Sequence, residues 1–150
     1  MPAGDPPQVR RRAWGCGLAA ALAVPCILVL LATGGLCPPG RLPVEGAPQQ
    51  LGYSFTGLTF LAAAWLAWRR MRGTSPAGSR DDTAQVAAYR GEIRTVLLVS
   101  ASTALWGCLY WHMVGWHGAR HALTFLVLTP AMYLCFAPRP YRRASRQEVP

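Results

Sequence analysis

The sequence contains no lysine: all 15 of its basic residues are arginine. It has only six acidic residues, and charged side chains make up 14% of its 150 residues, against roughly 25% in an ordinary soluble domain. A soluble domain with so little charge has too few polar groups to coat its surface. A membrane protein needs no such coat, because lipid solvates its apolar faces. No C-x-x-C pair is present, and the five cysteines (Cys16, Cys26, Cys37, Cys108 and Cys135) are odd in number, so a disulfide framework is unsupported. Paired carboxylates, a Gly-rich phosphate loop, a G-x-S-x-G site and an H-E-x-x-H motif are all missing. Each supplies a nucleophile, base, phosphate cradle or metal for a known reaction class. The sequence therefore points away from an enzyme, intramembrane proteolysis and phosphotransfer included.

One further lack concerns where the acids stand. Asp5, Glu45, Asp81, Asp82, Glu92 and Glu148 all lie outside the apolar runs. Proton relays and cation pathways usually set a carboxylate inside the membrane, which disfavours a proton-driven carrier or a cation channel. The net charge of +9 and pI near 10.2 raise the question of nucleic acid. The arginines flank apolar runs instead of forming one basic face, and no RNA- or DNA-binding motif accompanies them. A nucleic-acid partner is not expected.

What is present is apolar. Hydrophobic residues make up 52% of the chain, and the mean hydropathy is +0.20. The first run covers 13–36, longer than the roughly 20 residues that cross a bilayer core. Pro25 lies inside it, and proline is tolerated in membrane helices. Arg10, Arg11 and Arg12 precede the run, and Ala32-Thr33-Gly34 near its end resembles a cleavage site, so the segment also has the outline of a signal peptide. A second run covers 51–68, with Tyr53 and the pair Trp65 and Trp68 near its two ends, as an aromatic belt would set them. Between the first two, the Pro- and Gly-rich 37–50 reads as a loop.

Residues 73–80 read as a linker, and 81–94 as helical, because Asp81 and Asp82 suit a helix N-terminus and Val86, Tyr89, Ile93 and Val96 recur at helical spacing. This stretch is expected to be a short juxtamembrane helix, either breaking at Gly91 or running straight into the third run. The third run covers 95–113 and the fourth, with Pro130 inside it, 122–136. The expected fold is an all-α membrane protein with four transmembrane helices in an antiparallel bundle. Its parts are a basic N-terminal tail at 1–12, a loop at 69–94 and a basic, disordered tail at 137–150.

The arginines suggest which way the spans run. Three stand in the N-terminal tail, six between residues 69 and 94, and four in the C-terminal tail, thirteen in all. The other two loops hold only Arg41 and Arg120. Basic residues collect on the cytoplasmic side of membrane proteins, so both termini and the middle loop are expected inside. Arg69, Arg70, Arg90, Arg94, Arg142 and Arg143 are the candidate anchors for lipid headgroups. Heavy Ala, Gly and Pro use suggests a GC-rich genome, and together with the small size favours a bacterial inner membrane.

Three histidines fall within ten positions, His112, His117 and His121, accompanied by Trp106, Trp111 and Trp116. Imidazoles at this density can share a Zn, Cu or Ni ion, with Cys37 or Cys108 as soft co-ligands. His112 and His121 could also serve as axial haem ligands. Against this stands the ordinary use of His and Trp as amphipathic residues at headgroup level, and scattered cysteines commonly act as small apolar residues. Ser100, Thr103 and Gly107 share one face of the third run, and Tyr53, Ser54, Thr56, Gly57 and Thr59 form a polar end of the second. Small and hydroxylic residues let membrane helices approach and hydrogen-bond, or line a polar cavity. No bound cofactor is required by these patterns. The expected role is an accessory, assembly or scaffold subunit with a membrane-protein partner or a second copy of itself. The alternatives are a metal or haem handling protein and an oligomeric small-solute transporter.

Overall fold

The computed structural model describes residues 6–36, 39, 47–72 and 82–140, which are helix and connecting turn with no strand among them. The helices are α1 (Pro6–Thr33), α2 (Ala47–Met71), α3 (Asp82–Val114) and α4 (Ala119–Phe136), and a 3-10 turn, Gly115–Gly118, joins the last two. Three segments are long and apolar enough to cross a membrane: Gln8–Thr33, Gln49–Met71 and Thr83–Phe136. The third contains both the third and the fourth expected runs. Their connection never leaves helical hydrogen bonding, since the Ala119 N–H donates to the Trp116 carbonyl.

Every helix starts before the apolar stretch that marks it. Hydropathy sees only the part that avoids water, whereas backbone hydrogen bonding continues into polar flanks. Thus α1 starts at Pro6, where a proline fits because first-turn N–H groups have no intrahelical partner. It ends at Thr33 instead of residue 36. Gly35 takes φ +78° there, and the Leu36 N–H reaches back to the Leu31 carbonyl at 3.0 Å, closing the helix with a left-handed cap. The separate juxtamembrane helix is not found: α3 is unbroken over 33 residues, about 50 Å at 1.5 Å per residue. Gly91 is exposed on it, and a Cβ there would meet nothing within 4 Å. Residues 69–71 and 82–94 of the expected 69–94 loop are therefore helix, and 82–94 runs straight into the third run, the second of the two arrangements expected for that stretch. The linker at 73–80 and residues 141–150 of the expected tail lie outside the described residues.

The segment Thr83–Phe136 folds back on itself. Contacts join Tyr89 to Pro138 near the open end and Thr103 to Thr129 in the middle, and Gly107 lies against Ala122 near the turn. So α3 and α4 run antiparallel. Gly107 sets their separation: a Cβ there would lie 2.9 Å from the Ala122 carbonyl oxygen and 3.0 Å from the Phe125 Cβ. Gly115, with φ +70°, lets the chain leave α3 in a conformation that an L side chain resists. The other two helices pack on this hairpin and barely meet each other. The α1 start lies beside the α3 start through Arg10 and Gln85, and the α2 end lies beside the α4 end through Arg70 and Cys135.

Two apolar clusters result. One, toward the α1 start, joins Ala21, Leu66, Ile93, Val96, Met132, Tyr133 and Ala137. The other, toward the 3-10 turn, joins Phe55, Tyr110, Val114, Ala122 and Phe125. Phe55 is the hub of the second, stacked on Trp106 at 5.3 Å and edge-on to Tyr110 and Phe125. The outward faces are also apolar, with Leu30, Phe60, Leu61, Leu98 and Val127 exposed, as expected where lipid rather than water is the neighbour. Replacing Gly107 by Ala is expected to cost about 1–3 kcal/mol, the ordinary cost of overpacking, read as an earlier transition in a detergent-to-SDS unfolding titration. Gly57→Ala, at a helical site with open space, should be neutral or stabilising by up to about 1 kcal/mol. Equal effects at the two sites would refute the close approach at Gly107.

Candidate functional site

Three groups of residues carry chemistry, and they sit at three levels of the fold. At the 3-10 turn are the histidines. Here α3 ends, the turn Gly115–Gly118 follows, and α4 begins, so His112, His117 and His121 fall on three successive elements. All three are exposed. The His121 ring leans on Tyr110 at 5.8 Å, and Trp111 meets Trp116 edge-on at 4.9 Å. Among the described residues, no three His, Cys, Asp or Glu side chains come together in a way that could hold a metal ion. Cys108 is half-buried on α3, and Cys37 lies outside the described residues. What is assembled here is an aromatic cap over the second apolar cluster.

At the opposite end are the arginines. The Arg69 guanidinium lies 5.5 Å from the Trp65 ring centre and Arg72 lies 4.1 Å from that of Trp68. Both are aromatic–cation pairs at the edge of an apolar run. Arg70 donates to the Cys135 carbonyl at 2.9 Å. That bond satisfies one of the last carbonyls of α4, which have no intrahelical donor. Arg90 and Arg94 are exposed on α3, and Arg142 and Arg143 lie outside the described residues. A knot that the sequence did not disclose joins these helices. Arg10 donates to the Gln85 side chain at 3.2 Å and stands 5.9 Å from the Tyr89 ring centre, and the Tyr89 hydroxyl donates to the Pro138 carbonyl at 2.9 Å. Tyr89 already shows in the helical periodicity of 86–96, but nothing in one sequence tells which carbonyl its hydroxyl reaches.

Between the ends runs a polar seam. Ser100, Thr103 and Thr129 are fully buried. Thr103 Oγ1 lies 2.8 Å from Thr129 Oγ1 and bonds the Ser100 carbonyl at 2.7 Å. A fully buried tyrosine, Tyr133, donates to the Trp14 carbonyl at 3.0 Å. It lies so close to α1 that a Cβ on Gly17 would overlap its ring. Ser100 Oγ is buried with no hydrogen-bond partner, at a cost of about 1–3 kcal/mol. A serine nucleophile needs a base within hydrogen-bond reach, and this hydroxyl has none. The polar end of α2 behaves differently from the expected interface. Ser54, Thr56 and Thr59 each bond the carbonyl four residues earlier in their own helix, and of these only Thr59 is buried.

Among the described residues, the hydrogen bonds of the seam fix helices against one another. A double-mutant cycle of Thr103→Val and Thr129→Val is expected to give a coupling of about 0.6–1.7 kcal/mol, the range for hydrogen bonds between membrane helices. Additive effects would mean that the two hydroxyls do not bond. Tyr89→Phe is expected to cost about 0.5–1.5 kcal/mol and to speed amide exchange around Ala137, whereas Tyr53→Phe, on an exposed side chain, should change neither. No protein-family model, curated protein or solved structure matches the chain, so its own residues carry what can be said of its function.

Proposed function

We propose that this chain is a four-span membrane protein, both termini cytoplasmic, that works as a non-enzymatic accessory, assembly or scaffold subunit in a bacterial inner membrane. The single observation that carries the reading is how the polar groups are spent. Thr59, Thr103, Thr129 and Tyr133 bond to one another or to backbone carbonyls, Ser100 alone among the buried hydroxyls described has no partner, and no carboxylate stands in the expected spans. An interior used up in this way favours holding a shape over moving a solute or a proton.

The antiparallel α3–α4 hairpin supports two crossings within Thr83–Phe136. At 54 residues the segment is far longer than the roughly 20 that one crossing takes. The contacts of Arg10, Arg70 and Tyr89 gather the start of α1, the end of α2, the start of α3 and the end of α4 at one level. That gathering supports the reading of the arginine-rich flanks as one cytoplasmic face. Arg120 stands at the other end, beside the 3-10 turn. The exposed apolar faces of α1 and α2 are available to lipid and to a partner helix.

Membranes washed in alkaline carbonate should retain the chain, and reporter fusions at either terminus should be active only as cytoplasmic reporters. Crosslinking in native membranes should capture the same partner chain, or a second copy, reproducibly. A carbonate-soluble chain, or a C-terminal reporter active only outside, would overturn the topology. A protein that crosslinks to nothing would overturn the scaffold role.

A further inference from the structure

The surface at the arginine end is not uniform around the bundle. On α2 the basic and aromatic residues fall on one strip. At about 100° per residue, Leu58, Leu61, Trp65, Trp68, Arg69 and Arg72 all lie within an arc of about 100°. Arg72 stays on the helical path, since its N–H donates to the Trp68 carbonyl at 3.0 Å. The two leucines and two indoles of the strip are exposed, turned away from the hairpin. Arg70 points elsewhere. It lies about 140° round the helix from Trp65, on the side of the buried Thr59 and Leu66, and donates to the Cys135 carbonyl of α4. That bond helps to hold the strip outward.

Polarity changes along the strip in a set order: leucines first, then indoles, then guanidiniums. From Leu58 to Trp68 is about 15 Å at 1.5 Å per residue, half of the ~30 Å hydrocarbon core. Each arginine folds back over the indole four residues before it, Arg69 over Trp65 and Arg72 over Trp68. Stacking uses the face of a guanidinium, whereas its donors lie in the plane, so the N–H edges can still meet an anion. The helix itself supplies none. No acidic residue occurs in α2, and the nearest in the chain are Glu45 and Asp81.

Two positive charges at the top of a hydrocarbon strip call for a ligand that joins an anion to hydrocarbon. A phospholipid has that build. A second copy of α2 does not, because it would set the same guanidiniums against these. A zwitterionic head would bring its own cation toward the two arginines, and a net-negative head brings none.

We propose that the end of α2 is a binding site for a net-negative phospholipid of the phosphatidylglycerol class. Arg69 and Arg72 hold its phosphate, and its glycerol and acyl chain lie along Trp65, Trp68 and Leu61. The site rests on the reading of α2 as a membrane span with its arginine end at headgroup level. It is narrower than a ring of basic anchors: Arg72 belongs to it and Arg70 does not.

Native mass spectrometry of the full chain in detergent tests this, with titration of phosphatidylglycerol or phosphatidylcholine of the same acyl chains. The first phosphatidylglycerol should bind the wild type about tenfold or more tightly than the first phosphatidylcholine. Arg69→Gln and Arg72→Gln should each weaken phosphatidylglycerol about fivefold, the gain of one basic residue at an anionic surface, and leave phosphatidylcholine unchanged. Arg70→Gln, off the strip, should leave the preference intact. Circular dichroism identifies a variant that does not fold, and the other arginine of the strip then decides. Equal affinity of the wild type for the two lipids overturns the site. So does a loss with Arg70→Gln as large as with Arg72→Gln, which would mean charge acting in bulk. A photoreactive residue in place of Leu61 should capture lipid in native membranes, and capture of protein alone overturns the lipid assignment. A chain that resists carbonate yet shows no preference loses only this site, whereas a carbonate-soluble chain loses the membrane reading first.

Discussion

The approach of α3 to α4 at Gly107 is the constraint on which the rest of the fold depends. With no Cβ at that position, the Ala122 carbonyl and the Phe125 side chain come within contact of the α3 backbone. At that separation Thr103 and Thr129 are near enough to share a hydrogen bond, and Tyr110 and Phe125 can join Phe55 of α2 in one aromatic cluster. Lipid supplies no hydrophobic drive between helices, so contact geometry and interhelical hydrogen bonds must hold them together. A hairpin drawn tight by one glycine and one pair of threonines gives α1 and α2 a fixed surface to pack on. The two barely touch each other, and their positions are therefore read from the hairpin alone.

The two ends of this unit are fastened by different physics. Near the arginines, polar contacts cross between elements: Arg10 with Gln85, Arg70 with the end of α4, Tyr89 with Pro138, Tyr133 with α1. Each satisfies a carbonyl or amide where the helices reach polar surroundings, and none depends on a buried ion pair with its desolvation cost. Near the 3-10 turn, aromatic ring contacts join α2, α3 and α4, and no residue from the second half of α1 belongs to that cluster. The polar contacts are thus concentrated where the start of α1, the end of α2, the start of α3 and the end of α4 come together. Looser packing falls beside the short turn, which already holds α3 to α4 through the backbone.

Hydropathy read from the sequence finds the apolar middle of each helix and misses the ends, because helical hydrogen bonding continues past the point where lipid stops. The expected spans at 51–68 and 95–113 are parts of α2 and α3, which extend to Ala47 and Met71 and back to Asp82. The small and hydroxylic face of Ser100, Thr103 and Gly107 was visible as spacing, since period alone sets those residues on one side. The matching face of α4 was harder to see. There Ala122, Phe125 and Thr129 alternate with the exposed Leu123 and Val127 and with a proline, and nothing in their types marks the side that buries. Why the three histidines do not gather among the described residues has a related reason. Nearness in sequence says little across a helix, a 3-10 turn and a second helix, where each change of element redirects the next side chain. Tyr133 and Gly17 form a long-range pair that no local pattern contains.

The distribution of unspent chemistry then bears on where any activity must lie. Inside the bundle, the threonines and the tyrosine of the seam are already engaged, and the unpartnered Ser100 hydroxyl has no base beside it. Outside, among the described residues, the exposed histidines at the 3-10 turn stand beside two larger sets. One is the apolar surface of α1 and α2. The other is the set of exposed arginines, Arg90 and Arg94 among them, at the end where the helices are most firmly tied. A protein whose interior is committed to its own shape and whose free chemistry is hydrocarbon above and guanidinium below meets its surroundings as a surface. On the proposed membrane role, lipid chains or a partner helix would meet the first part, and phosphate headgroups or an acidic segment of such a partner the second. A rigid basic end is also what positioning such a partner would require, since flexible arginines lose entropy on every contact they make.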